Sequence, residues 1–471
     1  MEKPIPPLPY DAHASHSNYQ GTQSTRASLV GLSTGKAILD EMTASSSVHG
    51  HLENQTFLEN IGLDLDRRVA ESKVPSSMSG SQQSGSDEPP RSNKMYDEKR
   101  NNPSFSKALT VIHVYSYLVL FSFIGTLVRL VIESLTFYPG APVNTSVLWA
   151  NVGGSCLMGF LSEDRELFRA ADPEISDELW NTQHATRKKT IPLYIGLTTG
   201  FCGCLTSFST FARDLFLALA NDLPIPFGPY QDVSLFQPTT ADTRAPNGGF
   251  SFMAIIAILI TEIGLSLAGL SLGAHIAIFT APWTPTVPFV RLRRVLNPLV
   301  ILFAGSCWVA LIILVALLPH SPDDTSLWAP GIWQGPFLFA LVFSPIGCLL
   351  RFFLSMKLNG RIPDFPLGTF VVNVGGTMLL GMAYSLQHAT ISSSNLGGGS
   401  YIGCQILQGI MDGLCGCFTT VSTWVLELSA LKRGHAYLYG GLTVMVALGA
   451  LTIEIGSLQW TQGLTTPICF A

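Results

Sequence analysis

Two stretches of the chain hold residues that could do chemistry. "GFCGCLTSFSTFARD" occupies positions 200–214 and "GLCGCFTTVSTWVLEL" positions 413–428, each inside an otherwise apolar segment. Glycine lets a backbone leave the helix, and irregular backbone at membrane depth is tolerated only when buried in protein or lining a polar cavity. Carbonyls freed by such a break can coordinate a hard cation. Thr206, Ser207, Ser209 and Thr210 in the first stretch, and Thr419, Thr420, Ser422 and Thr423 in the second, add hydroxyls that can stand in for water. Phe208 and Phe211 lie three apart on one helical face. Aromatic edges carry positive quadrupole density, so rings presented edge-on favour a small dehydrated anion; the same spacing also suits a plain core pair. One such stretch reads equally well as small residues for close helix packing. Two of them point to a central ion site or polar crossing.

Other polar residues fall in apolar surroundings. Asn151 and Asn373 each bring two donors and an acceptor, and polar groups inside a membrane mark function or interhelical bonding. Arg129 and Arg351 either attract anions at vestibules or snorkel to lipid phosphate. Asp214 and Glu427 occupy matching places after the break, at expected pore mouths, and Glu262 and Glu454 are candidates for proton coupling or for burial with a partner. Cys202/Cys204 and Cys415/Cys417 have neither the Cys-x-x-Cys spacing nor an accompanying His, and read as small-residue packing. No P-loop, HExxH or nucleophile elbow is present, so neither an enzyme nor a nucleic-acid partner is expected.

The elements that position these residues are membrane helices. Charged residues make up 13% of the 471-residue chain, against about 25% in soluble domains. Apolar runs near the roughly 20 residues needed to cross a bilayer predict nine spans, at about 110–134, 146–162, 191–220, 250–278, 296–318, 336–357, 366–388, 401–430 and 436–458. Residues 1–105 are rich in Ser, Pro, Asn, Gln and charge without apolar periodicity, and read as a disordered cytosolic tail. No secretory signal peptide is visible at the start, and the net charge of −5 says little, because tail and loops carry most of it. Eight of the nine cysteines lie in apolar segments, which is not the pattern of a secreted disulfide framework. Asn144-Thr145-Ser146 forms a sequon on an expected external loop, too close to the membrane for ready glycosylation.

Lys and Arg occur in every other loop, as Arg165, Arg169, Arg187, Lys188 and Lys189, then Arg291, Arg293 and Arg294, Lys357 and Arg361, and Lys432 and Arg433. The positive-inside rule therefore puts the N-terminus in the cytosol and the C-terminus outside. The halves also match in sequence: "GTLVR" at 125–129 with "GCLLR" at 347–351, "WANVGG" at 149–154 with "FVVNVGG" at 370–376, and the two broken stretches in the same order. Four spans, one linker span and four spans make the halves inverted repeats, an architecture that places a site near the midplane at the repeat interface.

The duplicated set of GxLxR, NxxG and the pair "GFCGCLTSFST" and "GLCGCFTTVST", joined by a single span, resembles the fungal fluoride exporters, fused two-domain relatives of the bacterial CrcB/Fluc channels. The resemblance covers about 110–460. It implies an all-α polytopic membrane protein with two inverted four-helix repeats (106–280 and 331–471), a linker with one transmembrane helix (281–330), and broken third helices crossing at the centre. It implies up to two fluoride pores and a central structural Na⁺ on the carbonyls of Gly203, Thr206, Gly416 and Thr419. Implied pore-lining residues are Asn151 and Asn373, the hydroxyls Ser209, Thr210, Ser422 and Thr423, and Thr261 and Thr443 on the last helix of each half. Where the family carries a phenylalanine pair, the first half has Phe208 and Phe211, but the second has Val421 and Trp424. One pore would join Phe208 with Trp424 and the other Val421 with Phe211, so unequal pores are expected, with the Phe208/Trp424 pore the conducting one. The implied protein is a plasma-membrane fluoride channel acting as a monomer in the lipid bilayer. The alternatives are a proton-coupled exporter of fluoride or another small anion, and a membrane scaffold that works through its tail. Deleting residues 1–100 is expected to leave ion transport intact in a liposome flux assay; a scaffold would lose its role.

Overall fold

The computed structural model describes residues 103–136, 138, 141, 143, 145–168, 188–223, 248–286, 289–317, 331–389 and 400–469. The expected tail up to residue 102, the Asn144 of the sequon and the basic residues Arg169 and Arg187 lie outside the described residues. Positions 103–105, assigned to the tail from sequence, are helical.

The described residues are almost wholly helical. The first repeat comprises α1 (Pro103–Thr136), α2 (Leu148–Glu163), a third unit in pieces, and α6 (Gly248–Thr280). The third unit runs as α3 (Pro192–Ile195), a π-helical turn (Gly196–Cys202), α4 (Gly203–Leu205), two extended residues, and α5 (Phe208–Ala220). Helix α7 (Phe289–Leu317) follows. The second repeat repeats the plan: α8 (Gly331–Leu358), α9 (Leu367–His388), then α10 (Tyr401–Gly409), a π-helical turn (Ile410–Cys415), α11 (Gly416–Phe418), a break and α12 (Ser422–Ala430), and finally α13 (Arg433–Thr461). Among the described residues, eight units are long and apolar enough to cross a membrane, counting each broken unit as one. Helix α2 has 16 residues, a rise of about 24 Å, and is the short span of the nine expected.

Burial explains how the units sort. The two broken units are the most enclosed, whereas α6, α7 and α13 show apolar side chains such as Leu272, Leu302 and Met445 at the surface, as a lipid-facing layer requires. Helix α7 packs on α1 through Val119, Phe123 and Ala304, with Tyr117 donating to Asn297 Oδ1 at 3.2 Å, and on α8 through the Trp308 indole, which donates to the Val342 carbonyl at 3.1 Å.

Within the first repeat, α2 lies backbone to backbone on α6. A Cβ on Gly269 would stand 2.8 Å from the Val152 carbonyl, and one on Gly273 would stand 2.7 Å from the Cys156 carbonyl carbon and 2.8 Å from Phe160 N. Small residues allow this approach, because lipid supplies no hydrophobic drive between helices and dispersion must do the work. At its far end α2 is closed by Lys188, whose ammonium donates to the carbonyls of Ser162 at 3.2 Å and Asp164 at 2.5 Å. Burial pushes the Lys188 ammonium down to about 8, against the pull of Asp164 and Glu163. Gly273→Ala is expected to destabilise the protein by about 1–3 kcal/mol through overpacking. Gly264→Ala, which meets nothing within 4 Å, is expected to be neutral or slightly stabilising; thermal unfolding in detergent checks both.

Candidate functional site: the crossed broken helices

At each break the chain leaves the helix for an extended conformation, with φ −96° and ψ 144° at Thr206 and φ −94° and ψ 161° at Thr419. Opened backbone needs partners, and the first come from the neighbouring second helix. Ser207 N donates to Asn151 Oδ1 at 2.9 Å, and Thr420 N donates to Asn373 Oδ1 at 2.9 Å. Asn373 Nδ2 also donates to the Thr420 carbonyl at 3.1 Å. In a continuous helix those two N–H groups would serve the carbonyls four residues earlier, those of Gly203 and Gly416. The asparagine clamps divert them.

The second set of partners comes from the opposite repeat. The Thr206 hydroxyl accepts from Val421 N and Ser422 N, both at 3.2 Å, at the start of α12. The Thr419 hydroxyl accepts from Ser209 N at 3.1 Å, at the start of α5. Each threonine thus caps the helix that follows the break in the other repeat, and each hydroxyl donates back to its own helix, at Cys202 O and Cys415 O, both at 3.0 Å. Side-chain hydroxyls bridge the crossing as well: Thr206 to Ser422 at 3.1 Å and to Thr420 at 3.2 Å, and Thr419 to Ser209 at 3.1 Å.

The arginines form a third layer. Arg129 and Arg351 are 1% and 2% exposed, so neither sits in a vestibule or snorkels, which corrects the sequence reading. Arg351 Nη2 donates to the Thr199 carbonyl at 2.7 Å, and Arg129 Nη2 donates to the Asp412 carbonyl, both in the π-helical turn of the opposite repeat. A side chain on Gly203 would overlap the Arg351 guanidinium, and one on Gly416 the Arg129 guanidinium. The glycines at the breaks make room for these cations.

The structure therefore gathers Thr206, Ser209, Thr419 and Ser422 at the crossing, hydrogen-bonded to one another or to the opposite backbone. Thr210 is bound locally to the Ser207 hydroxyl at 2.9 Å, and Thr423 stands half-buried at the start of α12. Thr443 is fully buried and donates to the Tyr439 carbonyl at 2.6 Å. Thr261 is not on the inner face. It is partly exposed and bonds back to Ala257 at 2.8 Å, whereas the inward position of α6 belongs to its neighbour Glu262. Glu262 Oε2 accepts from Asn151 Nδ2 at 3.0 Å. Gly159 packs on Leu270 and Gly381 on Leu451; Asn151 and Asn373 stand eight residues before those glycines, and Glu262 and Thr443 eight before those leucines. A carboxyl group faces Asn151, whereas the matching place in the second repeat holds Thr443, whose hydroxyl serves the Tyr439 carbonyl.

Phe208 meets Phe211 at 5.5 Å and 84°, and Trp424 from the opposite repeat at 5.3 Å and 71°, both edge to face. Val421 is buried beside them in the same cluster. Asp214 is paired with Arg213 at 2.8 Å. At the matching position Glu427 accepts from Thr369 at 2.6 Å, Tyr439 at 2.7 Å and Asn359 at 3.4 Å, a cluster whose three donors sequence reading missed. Cys404 and Cys469, unpaired in the sequence reading, form a disulfide. The Cys-x-Cys thiols are packed, with Cys417 2.9 Å from the Thr126 hydroxyl and Cys204 3.5 Å from Arg351 Nη2.

The diverted carbonyls bear on the implied cation. Gly203 O and Gly416 O have lost the donors a helix would give them, and lie beside the extended Thr206 and Thr419. Hard carbonyl oxygens of this kind fit a small alkali ion. The same geometry makes Asn373→Ala costly, because Thr420 N would be left unpaired or would return to the Gly416 carbonyl and close the break. A loss of about 1–3 kcal/mol is expected, read as a lower unfolding temperature in detergent.

The model of the family described as "CrcB-like protein, Camphor Resistance (CrcB)" matches residues 116–235 and 338–456. Fluoride export protein 1 of Neurospora crassa is 44% identical over 390 residues, covering 78% of this chain and 70% of the relative. Fluoride export protein 1 of Candida albicans is 32% identical, covering 72% and 78%. The fluoride-specific ion channel FluC of Erwinia tasmaniensis is 31% identical over 123 residues, which is 26% of this chain and 90% of the relative. No solved structure matches the chain.

Proposed function

The chain belongs to the CrcB-like family, and from that premise we propose that it is a fluoride-selective passive channel that exports fluoride from the cytosol. The observation that carries the reading is the pair of membrane-buried breaks, each clamped by an asparagine and capped by a threonine of the other repeat. The names of the relatives, fluoride export protein and fluoride-specific ion channel, supply the ion. The protein acts in transport rather than catalysis, as a monomer in the plasma membrane with the N-terminus cytosolic and the C-terminus outside. The Cys404–Cys469 bond supports that orientation: it joins the start of α10 to the chain beyond α13, at the face assigned to the exterior, where disulfides persist.

Moving a bare small ion into hydrocarbon costs on the order of 20 kcal/mol. Amides, hydroxyls and ring edges replace its water in steps, and weak sites in series let it leave again. A Na⁺ held by the carbonyls of Gly203, Thr206, Gly416 and Thr419 supplies a fixed positive field that favours anions. A negative-inside potential drives the anion outward with about 2.3 kcal/mol per 100 mV.

The two pathways are unequal. Helix α5, which carries Phe208, packs on α9 and α13, the helices of Asn373 and Thr443. Trp424 joins Phe208 there, with its Cζ2 3.7 Å from the Cβ position of Gly440 on α13. On the other side Asn151 is already engaged by the Glu262 carboxyl, which is an acceptor in the place of a donor. The Phe208/Trp424 pathway with Asn373 and Thr443 is the conducting one. The alternative, a proton-coupled exporter, draws on Glu262, buried with Oε1 unpartnered among the described residues.

The test is fluoride efflux from liposomes under a K⁺ gradient, with and without valinomycin, beside the same assay for chloride. Valinomycin-dependent release of fluoride and not chloride is expected. Phe208→Ile is expected to cut the rate about tenfold or more, equal to about 1.4 kcal/mol on the barrier, and Phe211→Ile to have a smaller effect. Release that requires a proton gradient would favour the coupled exporter.

A further inference from the structure

Trp424 is among the largest fully buried side chains, 1% exposed, and its indole nitrogen has no hydrogen-bond partner among the described residues. A buried N–H without an acceptor is costly, and in a native structure it calls for an unseen water or ion. The position does not demand an indole. The corresponding residue of the first repeat, Phe211, fills its own site with a plain ring, 1% exposed. Phenylalanine at 424 would keep the apolar contacts and avoid the unpaired donor, so the indole brings a polar group to a place where packing asks for none.

The surroundings define what the donor can hold. One side of the indole meets the Phe208 ring edge to face at 5.3 Å. Its Cζ2, the ring carbon next to the one that bears the nitrogen, lies 3.7 Å from the Cβ position of Gly440, beside the Leu428 methyl groups. One turn further along α13 stands the buried Thr443 hydroxyl. The nearest carboxyl on the same helix, Glu427, is already served by Thr369, Tyr439 and Asn359 and does not take the indole proton. A neutral donor without a partner, packed beside the Phe208 ring, fits a small anion that has shed part of its water.

We propose that Trp424 determines specificity on the conducting pathway: its indole N–H donates to fluoride as the ion passes Phe208. The inference rests on the fluoride-channel reading of the same site. It assigns the second repeat a stronger donor than the ring edge that Phe211 offers in the first.

The experiment uses the full chain in nanodiscs with ¹⁵N-tryptophan, which gives eight indole signals; Trp424→Phe identifies the one from residue 424. Sodium fluoride and sodium chloride are titrated at constant ionic strength, and the same two proteins are compared in the liposome flux assay. The expected result is a saturable shift of the Trp424 signal with fluoride and none with chloride, together with about a tenfold slower fluoride flux in Trp424→Phe. A Trp424 signal that ignores fluoride while the wild-type protein conducts it overturns the proposal and leaves the channel reading standing. So does a Trp424→Phe protein with wild-type flux. Wild-type protein that conducts no fluoride overturns both. A Trp424 signal that shifts equally with both salts assigns the donor to water or to halides in general, and also overturns the proposal.

Discussion

A helix that stops inside a membrane exposes N–H and C=O groups that lipid cannot satisfy, and this chain answers that constraint by exchange between its halves. Thr206 caps α12 and Thr419 caps α5, while Arg129 and Arg351 each bind the π-helical turn of the opposite repeat. Each half supplies an asparagine clamp for its own break and depends on the other half for the remaining caps. The requirement spreads outward into the packing. Gly154 and Gly376 make room for the methyl groups of Thr206 and Thr419, and Gly125 lets α1 approach the Phe201 carbonyl. The recurrent glycines are therefore consequences of the crossing, placed where backbone or guanidinium must come close.

Scaffold and pathway follow different rules in this molecule. The residues that hold the crossing together recur in both repeats: the asparagine clamp, the capping threonine, the arginine and the glycine beneath it. The residues beside it diverge. Glu262 faces Asn151, whereas Thr443 takes the matching place in the second repeat. Asp214 holds Arg213, whereas Glu427 gathers three neutral donors. Phe208 and Phe211 answer to Val421 and Trp424. A symmetric frame is needed for stability, because each half caps the other. The departures lie off that frame, and one of them sets a carboxyl group, which opposes an anion, beside Asn151.

Much of this was legible before the structure. Eight of the nine expected spans follow from segment length, and the repeat from three motifs in the same order, because both depend on local composition. The partners at the crossing were not legible. Spacing within Thr206–Thr210 and Thr419–Thr423 says that hydroxyls cluster, but not that Thr206 meets Ser422 more than two hundred residues away. One residue along a helix turns the side chain by about 100°, so Thr261 lies off the inner face that Glu262 occupies. The spacing of Ile258, Glu262, Ser266 and Leu270, all on the buried face, carried the signal for the correct choice. The central place of Arg129 and Arg351 was not legible either, because the carbonyls they bind, at Asp412 and Thr199, lie in the opposite repeat. The Cys404–Cys469 pair escaped because one partner lies in an apolar segment and the other 65 residues away.

The interlocked centre also separates a channel from a carrier. Alternating access needs one repeat to rock against the other, and here the repeats share backbone caps, hydroxyl bridges and two buried guanidiniums at the point where they would have to part. A fixed pathway beside a fixed crossing follows. Recording from the purified protein in planar bilayers, with fluoride on one side, chloride on the other and equal pH on both, tests it most directly. Unitary current steps carried by fluoride from its side, with none carried by chloride from the other, are expected. An absence of steps, with fluoride movement appearing only when a pH gradient is imposed, would contradict it.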